Sequence, residues 1–363
     1  MLISVSNCDS SINAQYDEEE KEVAYLDKVS GSTFLIGTVF EEKHMVKCQG
    51  QDGKQCTQRE FTSEVDLQRS VDSENCFKLK LFPKNIGLQP GICFDVKSGF
   101  WYGGSELQHQ RWPFKDLTLP WQPYVSNDIV PLNESVGNVL ERYWLSSNGV
   151  GIYVHESSPT YFKHIRKTTE NGQTRFAEMC FLSKHSVNAY GFVSDINPLE
   201  IEVCKTANIL ETHKLMSVRF FDKPMGIPDE RMFKSPIWST WAKFKVDIDQ
   251  EKVKQYADEI IDHGFSNSQI EIDDMFSTYY GEFDFTPKKF NDPKGMVDAL
   301  KTKGFRVTVW VTPFANTDAP VFLEGAARSF WLTDVDGRTP ALVKWWQGVG
   351  ATLDVDNAAA VEW

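Results

Sequence analysis

Two carboxylates, Glu271 and Asp273, lie two residues apart in the run Gln269-Ile270-Glu271-Ile272-Asp273, and Asp274 follows directly. Side chains alternate along a strand, so Glu271 and Asp273 share one face while Ile270 and Ile272 take the other. An ionised carboxylate only accepts hydrogen bonds, which suits a ligand rich in hydroxyl groups. Two aspartates at a strand end also suit a turn or a helix cap, and the pattern alone leaves both possibilities open. Indole rings gather in the same stretch of chain, at Trp241, Trp310 and Trp345-Trp346-Gln347-Gly348. The face of an indole stacks on the C–H face of a sugar ring, although any single Trp more often fills a core or a rim. Other chemistries leave little trace. The cysteines show no Cys-x-x-Cys spacing, so neither a zinc site nor a thioredoxin-type motif is indicated. No Ser-His-Asp or Cys-His arrangement is visible. Gly149-Val150-Gly151 comes nearest to a dinucleotide fingerprint, but it lacks the third glycine and opens no helix.

These residues depend on the elements that carry them. Beyond Pro224, Pro228 and Pro236 the chain alternates helix and strand. Val253, Tyr256, Ala257, Ile260 and Ile261 recur at helical spacing, Gly264 ends that helix, and the acidic strand follows. A second helix opens at Asp292-Pro293, buries Met296, Val297 and Leu300, and ends at Gly304. Arg306 to Val311 is a β-branched run suited to a parallel strand buried on both faces. Ala351 to Val355 is the third strand candidate, ending at Asp354. Strand–helix–strand spacing predicts βα units, in either a (β/α)8 barrel or a doubly wound sheet. In both, chemistry sits at the C-terminal strand ends, where Asp273, Thr312 and Asp354 fall. More than thirty residues separate the second strand from the third, and Asp336-Gly337 within them signals a hairpin turn.

Before residue 222 the texture is that of sheet. Phe77 to Leu81 and Leu199 to Val203 alternate apolar and charged residues, and Phe34 to Thr38 and Gly151 to His155 are further short runs. An antiparallel β-sandwich is predicted. The division expected is a polar, disordered start over 1–20, a sandwich over 21–222, a linker over 223–234, and an α/β domain over 235–363. Seven cysteines all fall before residue 205, as disulfides confined to the first domain would require, or as buried free thiols; Cys48 and Cys56 are the nearest pair in sequence. Asn133-Glu134-Ser135 is a glycosylation sequon, pointing weakly to the same oxidising, secretory or extracellular setting. A formal net charge of -13 without a block of Lys and Arg argues against nucleic acid as a partner. No stretch resembles a signal peptide or a membrane span, so any targeting segment or anchor is expected outside these residues.

Four ordered segments carry a family resemblance: Pro236-Ile237-Trp238-Ser239-Thr240-Trp241, Glu271-Ile272-Asp273-Asp274-Met275, Gly304 through Phe314, and Gly337 through Trp346. Together they resemble family 31 of the glycoside hydrolases. The likeness is strong over about 235–363, fair from Trp101-Tyr102-Gly103-Gly104 through Glu141-Arg142-Tyr143-Trp144, and weak before residue 99. It implies a β-sandwich ahead of a (β/α)8 TIM barrel, no metal or other cofactor, and hydrolysis of α-glycosides with retention. It also implies an α-linked oligosaccharide or glycoconjugate as partner. Asp273 matches the carboxylate that binds hydroxyls of the sugar being cleaved, and Trp346 matches a pocket aromatic. With Asp274, Trp241 and Trp310 they make the expected substrate-binding set. Trp241 stands where the family's α-glucosidases have a small residue. One branch, associated with α-galactosides and anchored in the membranes of the early secretory pathway, has Trp there.

Two departures qualify the resemblance. Thr312 stands where many members place Asp before the proline. Retaining hydrolysis needs a nucleophile and an acid/base about 5–5.5 Å apart. The family's positions for both are expected beyond residue 363, so these residues alone are expected to be inactive. Asp273 and Asp274 cannot replace them, because adjacent strand residues face opposite ways. The expectation is a fragment of an α-glycosidase, most specifically an α-galactosidase. A non-catalytic sugar-binding or structural relative is the alternative.

Overall fold

The computed structural model describes residues 2–5, 12–27, 30–43, 63–85, 87–107, 112–114, 118–126, 136–169, 171, 174–186, 189–190, 198–334 and 336–363. Cys8, Cys48, Cys56 and the Asn133 sequon lie outside the described residues. The chain divides into two compact units, Met1–Lys223 and Pro224–Trp363. No helix of the described residues is long and apolar enough to cross a membrane.

The first unit is built mainly of antiparallel sheet. One sheet runs, in spatial order, Leu2–Val5, Ile12–Asp17, Glu22–Asp27, Thr33–Lys43, Leu88–Asp95, Thr174–Ser183, Thr160–Thr168, Thr118–Pro123. The other runs Glu64–Arg69, Cys76–Phe82, Leu199–Lys205, Val150–Val154, Leu140–Ser146, Trp101–Ser105. Alternate residues of both sheets meet in a single core, with Tyr25, Phe94, Phe162 and Phe181 from one and Phe77, Leu79, Trp144 and Ile201 from the other. Burying such faces against each other is what holds a sandwich together. Within the stretch expected to be a disordered start, Leu2–Val5 and Ile12–Asp17 are strands. Ile12–Asp17 is a strand whose Ile12, Ala14 and Tyr16 are buried, and its polar look comes from the alternate residues that face outward.

Two disulfides join direct cross-strand partners, Cys76 to Cys204 and Cys93 to Cys180, with Cα–Cα distances of 4.1 and 4.0 Å. Both fall just short of the usual span of about 4.4–6.8 Å. The helix Ile209–Phe220, capped by the Asn208 side chain, covers the outer face of the smaller sheet with Thr212 and Met216. Beside it Glu200 and Glu202 are buried yet ionised. Glu200 pairs with Lys78 and with Lys80 at 2.8 Å, and Glu202 accepts from Ser70 Oγ and Arg219 Nη2, both at 2.5 Å. Burial works against their charge, but these partners and His155 outweigh it and hold both carboxyls below their ordinary value.

The second unit contains a parallel sheet of three strands, Ile237–Ser239, Gln269–Ile272 and Arg306–Val309. The helix Gln250–Asp262, capped by Asp249, joins the first to the second, and Pro293–Thr302, capped by Asp292, joins the second to the third. Both helices stop at a glycine in the left-handed region, Gly264 at φ 74° and Gly304 at φ 89°. Val253, Ala257, Ile260, Met296 and Leu300 pack on Ile270 and Ile272. The segment expected as a linker is tied to this unit: Asp229 pairs with Arg306, and Arg231 Nη2 donates to the Ser268 carbonyl at 3.2 Å.

Two expectations about strands need correction. Ala351 to Val355 is not a third parallel strand. Gly348–Thr352 forms an antiparallel sheet with Phe314–Asn316 and Leu342–Trp345, because the turn at Trp346-Gln347 folds it back on its own neighbour. The third parallel strand is instead Ile237–Ser239, too short to announce itself by periodicity. Arg306 to Val311 is not buried on both faces either, since Val309 and Val311 remain 42% and 53% exposed. Asp336-Gly337 does turn the chain, with Thr333 bridged to Pro340 across it.

Candidate functional site

Register in the parallel sheet sets Ser239, Glu271 and Thr308 side by side. Paired residues point the same way, so this face is polar, while Trp238, Ile270 and Val307 face the helices. Gln269 Nε2 donates to Thr308 Oγ1 at 3.2 Å, one layer below. Burial, and then Asp273, raise the Glu271 pKa above its ordinary value.

Asp273 stands at the C-terminal end of its strand, half-buried. Its backbone N–H donates to Thr240 Oγ1 at 2.9 Å, and its Oδ1 accepts from the Asp274 N–H at 2.7 Å. Ser239 Oγ donates to its Oδ2 at 3.4 Å and also accepts from the Trp241 N–H at 3.2 Å, capping the short helix Thr240–Phe244. One serine therefore ties the backbone of Trp241 to the Asp273 carboxylate. The Trp241 ring lies edge-to-face with Trp346, centroids 6.1 Å apart at 65°, and Lys245 Nζ sits 4.9 Å from its centre. Trp346 is 63% exposed, a large apolar face presented to solvent beside polar groups.

A chain of rings continues from there. Trp345 meets Trp346 at 5.7 Å, Tyr280 at 4.9 Å and Phe314 at 4.6 Å, and it stacks on Trp310 at 6.5 Å and 29°. Asn316 Oδ1 fixes the Trp345 indole N–H at 2.8 Å. The structure thus brings Trp241 and Trp346 into contact, with Asp273 linked to Trp241 through Ser239, and it joins Trp310 to the same wall through Trp345.

Asp274 does not stand with them. It is 1% exposed, on the face opposite Asp273; its Oδ1 accepts from the Met275 N–H at 2.6 Å, and its Oδ2 is buried without a hydrogen-bond partner. Continued strand alternation accounts for its burial, where the sequence reading places it among the substrate-binding residues. Thr312 donates its hydroxyl to the Phe314 carbonyl at 2.7 Å, so it serves its own turn. Asp354 Oδ1 likewise accepts from the Asp356 N–H at 3.1 Å.

Sequence reasoning missed Ser239 and Tyr280. The phrase Tyr279-Tyr280-Gly281 holds the one signal for the second. Gly281 takes φ 102°, and a Cβ there would lie 2.4 Å from Ala315, so only glycine lets residue 280 approach the neighbouring sheet. Burial, then the neighbouring Asp274 carboxylate, raises the Tyr280 phenol pKa. Hydrogen-bond acceptors beside an exposed indole face are what a sugar ring requires, hydroxyls on its rim and C–H groups on its face.

Comparison with known proteins bears on which sugar chemistry this is. Residues 236–363 match the glycosyl hydrolases family 31 TIM-barrel domain. The chain is 39% identical over 305 residues to the myogenesis-regulating glycosidase of Mus musculus, covering 82% of this chain and 42% of that protein. It is 23% identical over 314 residues to the SITS-binding protein of Tetronarce californica, with the same coverages of 82% and 42%. The chain therefore spans well under half the length of these relatives. Among solved structures, a xylosidase from Aspergillus niger superposes with a TM-score of 0.61 at 12% identity, covering 97% of this chain and 41% of that one, which shows the fold. From its parallel strands and the motifs at their ends to the relatives it matches, the chain belongs to glycoside hydrolase family 31.

Proposed function

We propose that the whole protein hydrolyses α-linked glycosides with retention, and that α-galactosides are its preferred class. The observation that carries this is the contact of Trp241 with Trp346, together with the tie from the Trp241 backbone through Ser239 to Asp273. An indole at residue 241 narrows the space above the carboxylate, at a position where the resemblance places small residues in α-glucosidases. Asp273 accepts hydrogen bonds from hydroxyls of the bound sugar, and Trp346 covers its apolar face. Asp273 helps to raise the Glu271 pKa, Asp274 is buried, and the family resemblance places the nucleophile and the acid/base at other positions, so none of the three is assigned either role. The two disulfides support an oxidising compartment, the secretory lumen or the cell exterior. Mass mapping of the native protein that found Cys76, Cys93, Cys180 and Cys204 as free thiols would remove that support.

The test is a panel of aryl α-galactoside, α-glucoside and α-xyloside with the full-length protein from this gene. Highest kcat/KM on the galactoside is expected, and preference for another sugar overturns the specificity. The name of one relative records only the binding of SITS and no hydrolysis, and a second possibility is sugar binding without hydrolysis. It predicts saturable quenching of tryptophan fluorescence by galactose with no turnover of any of the three.

A further inference from the structure

We propose that Asp274 and Tyr280 form a positioning pair, which sets the gap between the Asp273 carboxylate and the tryptophan wall and so governs how tightly the sugar is held. The inference rests on the sugar site described above and goes beyond it, because neither residue touches the ligand. A buried carboxylate oxygen without a donor is costly, and Asp274 Oδ2 is such an atom. Tyr280 is the neighbouring group with a proton to give. Its hydroxyl meets Met275 Sδ at 3.4 Å, and after burial it is hydrogen bonding with the Asp274 side chain, then the charge of Asp274, that raises its pKa. A thioether is a weak acceptor and a carboxylate a strong one, so a small rotation of the phenol satisfies both residues at once. Met275, at φ 66°, makes the turn that folds residue 280 back toward residue 274.

What Tyr280 does is set by its other contacts. Its ring meets Trp310 edge-on at 6.1 Å and Trp345 at 4.9 Å. Its carbonyl accepts from the Asn316 N–H at 3.0 Å, and Asn316 holds the Trp345 indole. The next residue, Gly281, packs directly on Ala315. Asp274 is meanwhile joined to Asp273 by its own N–H. A hydrogen bond from Tyr280 to Asp274 therefore couples the carboxylate side of the pocket to Trp345 and, through it, to Trp346.

The experiment is a double-mutant cycle of Asp274→Asn and Tyr280→Phe in the full-length protein, read as KM and kcat on whichever aryl α-glycoside the wild type turns over. Tyr280→Phe keeps the ring contacts and removes only the hydroxyl. Each single change is expected to raise KM about 3- to 10-fold with kcat within about twofold, and the double change to be no worse than either. Additive effects, unchanged KM, or a loss confined to kcat would overturn the pair. Should Asp274→Asn not fold, Tyr280→Phe decides alone by the same KM criterion. A wild type that turns over none of the substrates defeats the proposed hydrolysis instead. The pair is then judged by tryptophan emission: the same shift in both singles and the double supports it, and independent shifts refute it.

Discussion

Asp273→Asn is the most direct perturbation of the proposed sugar site, because the structure separates its cost to folding from its cost to binding. Asparagine keeps an oxygen where Oδ1 accepts from the Asp274 N–H, and the backbone bond from residue 273 to Thr240 Oγ1 does not involve the side chain. The hydrogen bond it forfeits is that from Ser239 Oγ, which at 3.4 Å is long. Removing the charge also relieves Glu271, whose pKa Asp273 helps to raise. The melting temperature should therefore hold or rise slightly. Binding has no such compensation. A hydrogen bond to a charged acceptor contributes about 1.5–3 kcal/mol, which is roughly 10- to 150-fold in kcat/KM. If that bond tightens in the transition state, the loss falls on kcat as well as KM. The assay is steady-state hydrolysis of an aryl α-galactoside by the full-length protein, beside a thermal melt of each variant. A variant with an unchanged melt and kcat/KM within twofold of wild type would refute the placement of Asp273 on the substrate.

Three further outcomes follow from other parts of the molecule. Trp241→Gly should open the space against Trp346 and shift the kcat/KM ratio from α-galactoside toward α-glucoside by about tenfold or more, as pocket-shape changes do; an unaltered ratio would detach Trp241 from specificity. The folded-state pKa of Glu202 is depressed, so its stabilisation is fully present above its ordinary value of 4.5 and is lost as pH falls below it. Urea midpoints should accordingly drop on acidification through that range, and Glu202→Gln should flatten the slope; identical slopes would show that the cluster with Arg219 and Ser70 is not linked to stability. Replacing Cys76 and Cys204 by alanine removes a link spanning 128 residues of sequence. Chain entropy puts its worth at about 5 kcal/mol and measured cases run about 2–5 kcal/mol, so a denaturation midpoint that does not move would show that the paired strands need no clamp.

How much of this was legible in the sequence depended on how far each signal reached. Alternation in Phe77 to Leu81 and Leu199 to Val203 is local and strong, and both segments are strands of the sandwich. The helix limits at Asp292, Gly264 and Gly304 were equally open, because caps act within one turn, whereas the Asp249 cap was seen only in the folded chain. The role of Ile237–Ser239 was hidden, since three residues cannot display a period. Ala351 to Val355 misled because an apolar run says nothing about the direction of its partner, which here is set by the hairpin at Trp346-Gln347. Among the site residues, the opposite facing of Asp273 and Asp274 followed from alternation alone. The tie from Ser239 to Trp241 and Asp273, and the ring chain from Trp346 to Trp310, join residues far apart in sequence, and only the folded chain puts them together.

The polar face of the parallel sheet ties these features to one purpose. A strand packed between helices and a barrel interior is stabilised by branched apolar residues on both sides, and Ile270, Ile272 and Val307 follow that rule toward the helices. The other side breaks it with Ser239, Gln269, Glu271, Thr308 and Asp273 in adjoining positions. Stability alone would not select this set. Burial of Glu271 and the Asp273 carboxylate beside it oppose the ionisation of Glu271, and therefore folding at neutral pH. Because the folded-state pKa of Glu271 is raised, its contribution to stability declines as pH climbs from the ordinary value of 4.5 through the raised one. Glu271→Gln should thus make the second unit more stable at pH 7 than the wild type, with the difference vanishing at pH 4. Such a gain would mark the carboxyl as retained for chemistry at the expense of stability. A destabilised Glu271→Gln would show the opposite, that the acid pair is part of what holds the sheet together, and the case for a ligand at its end would then rest on the indoles alone.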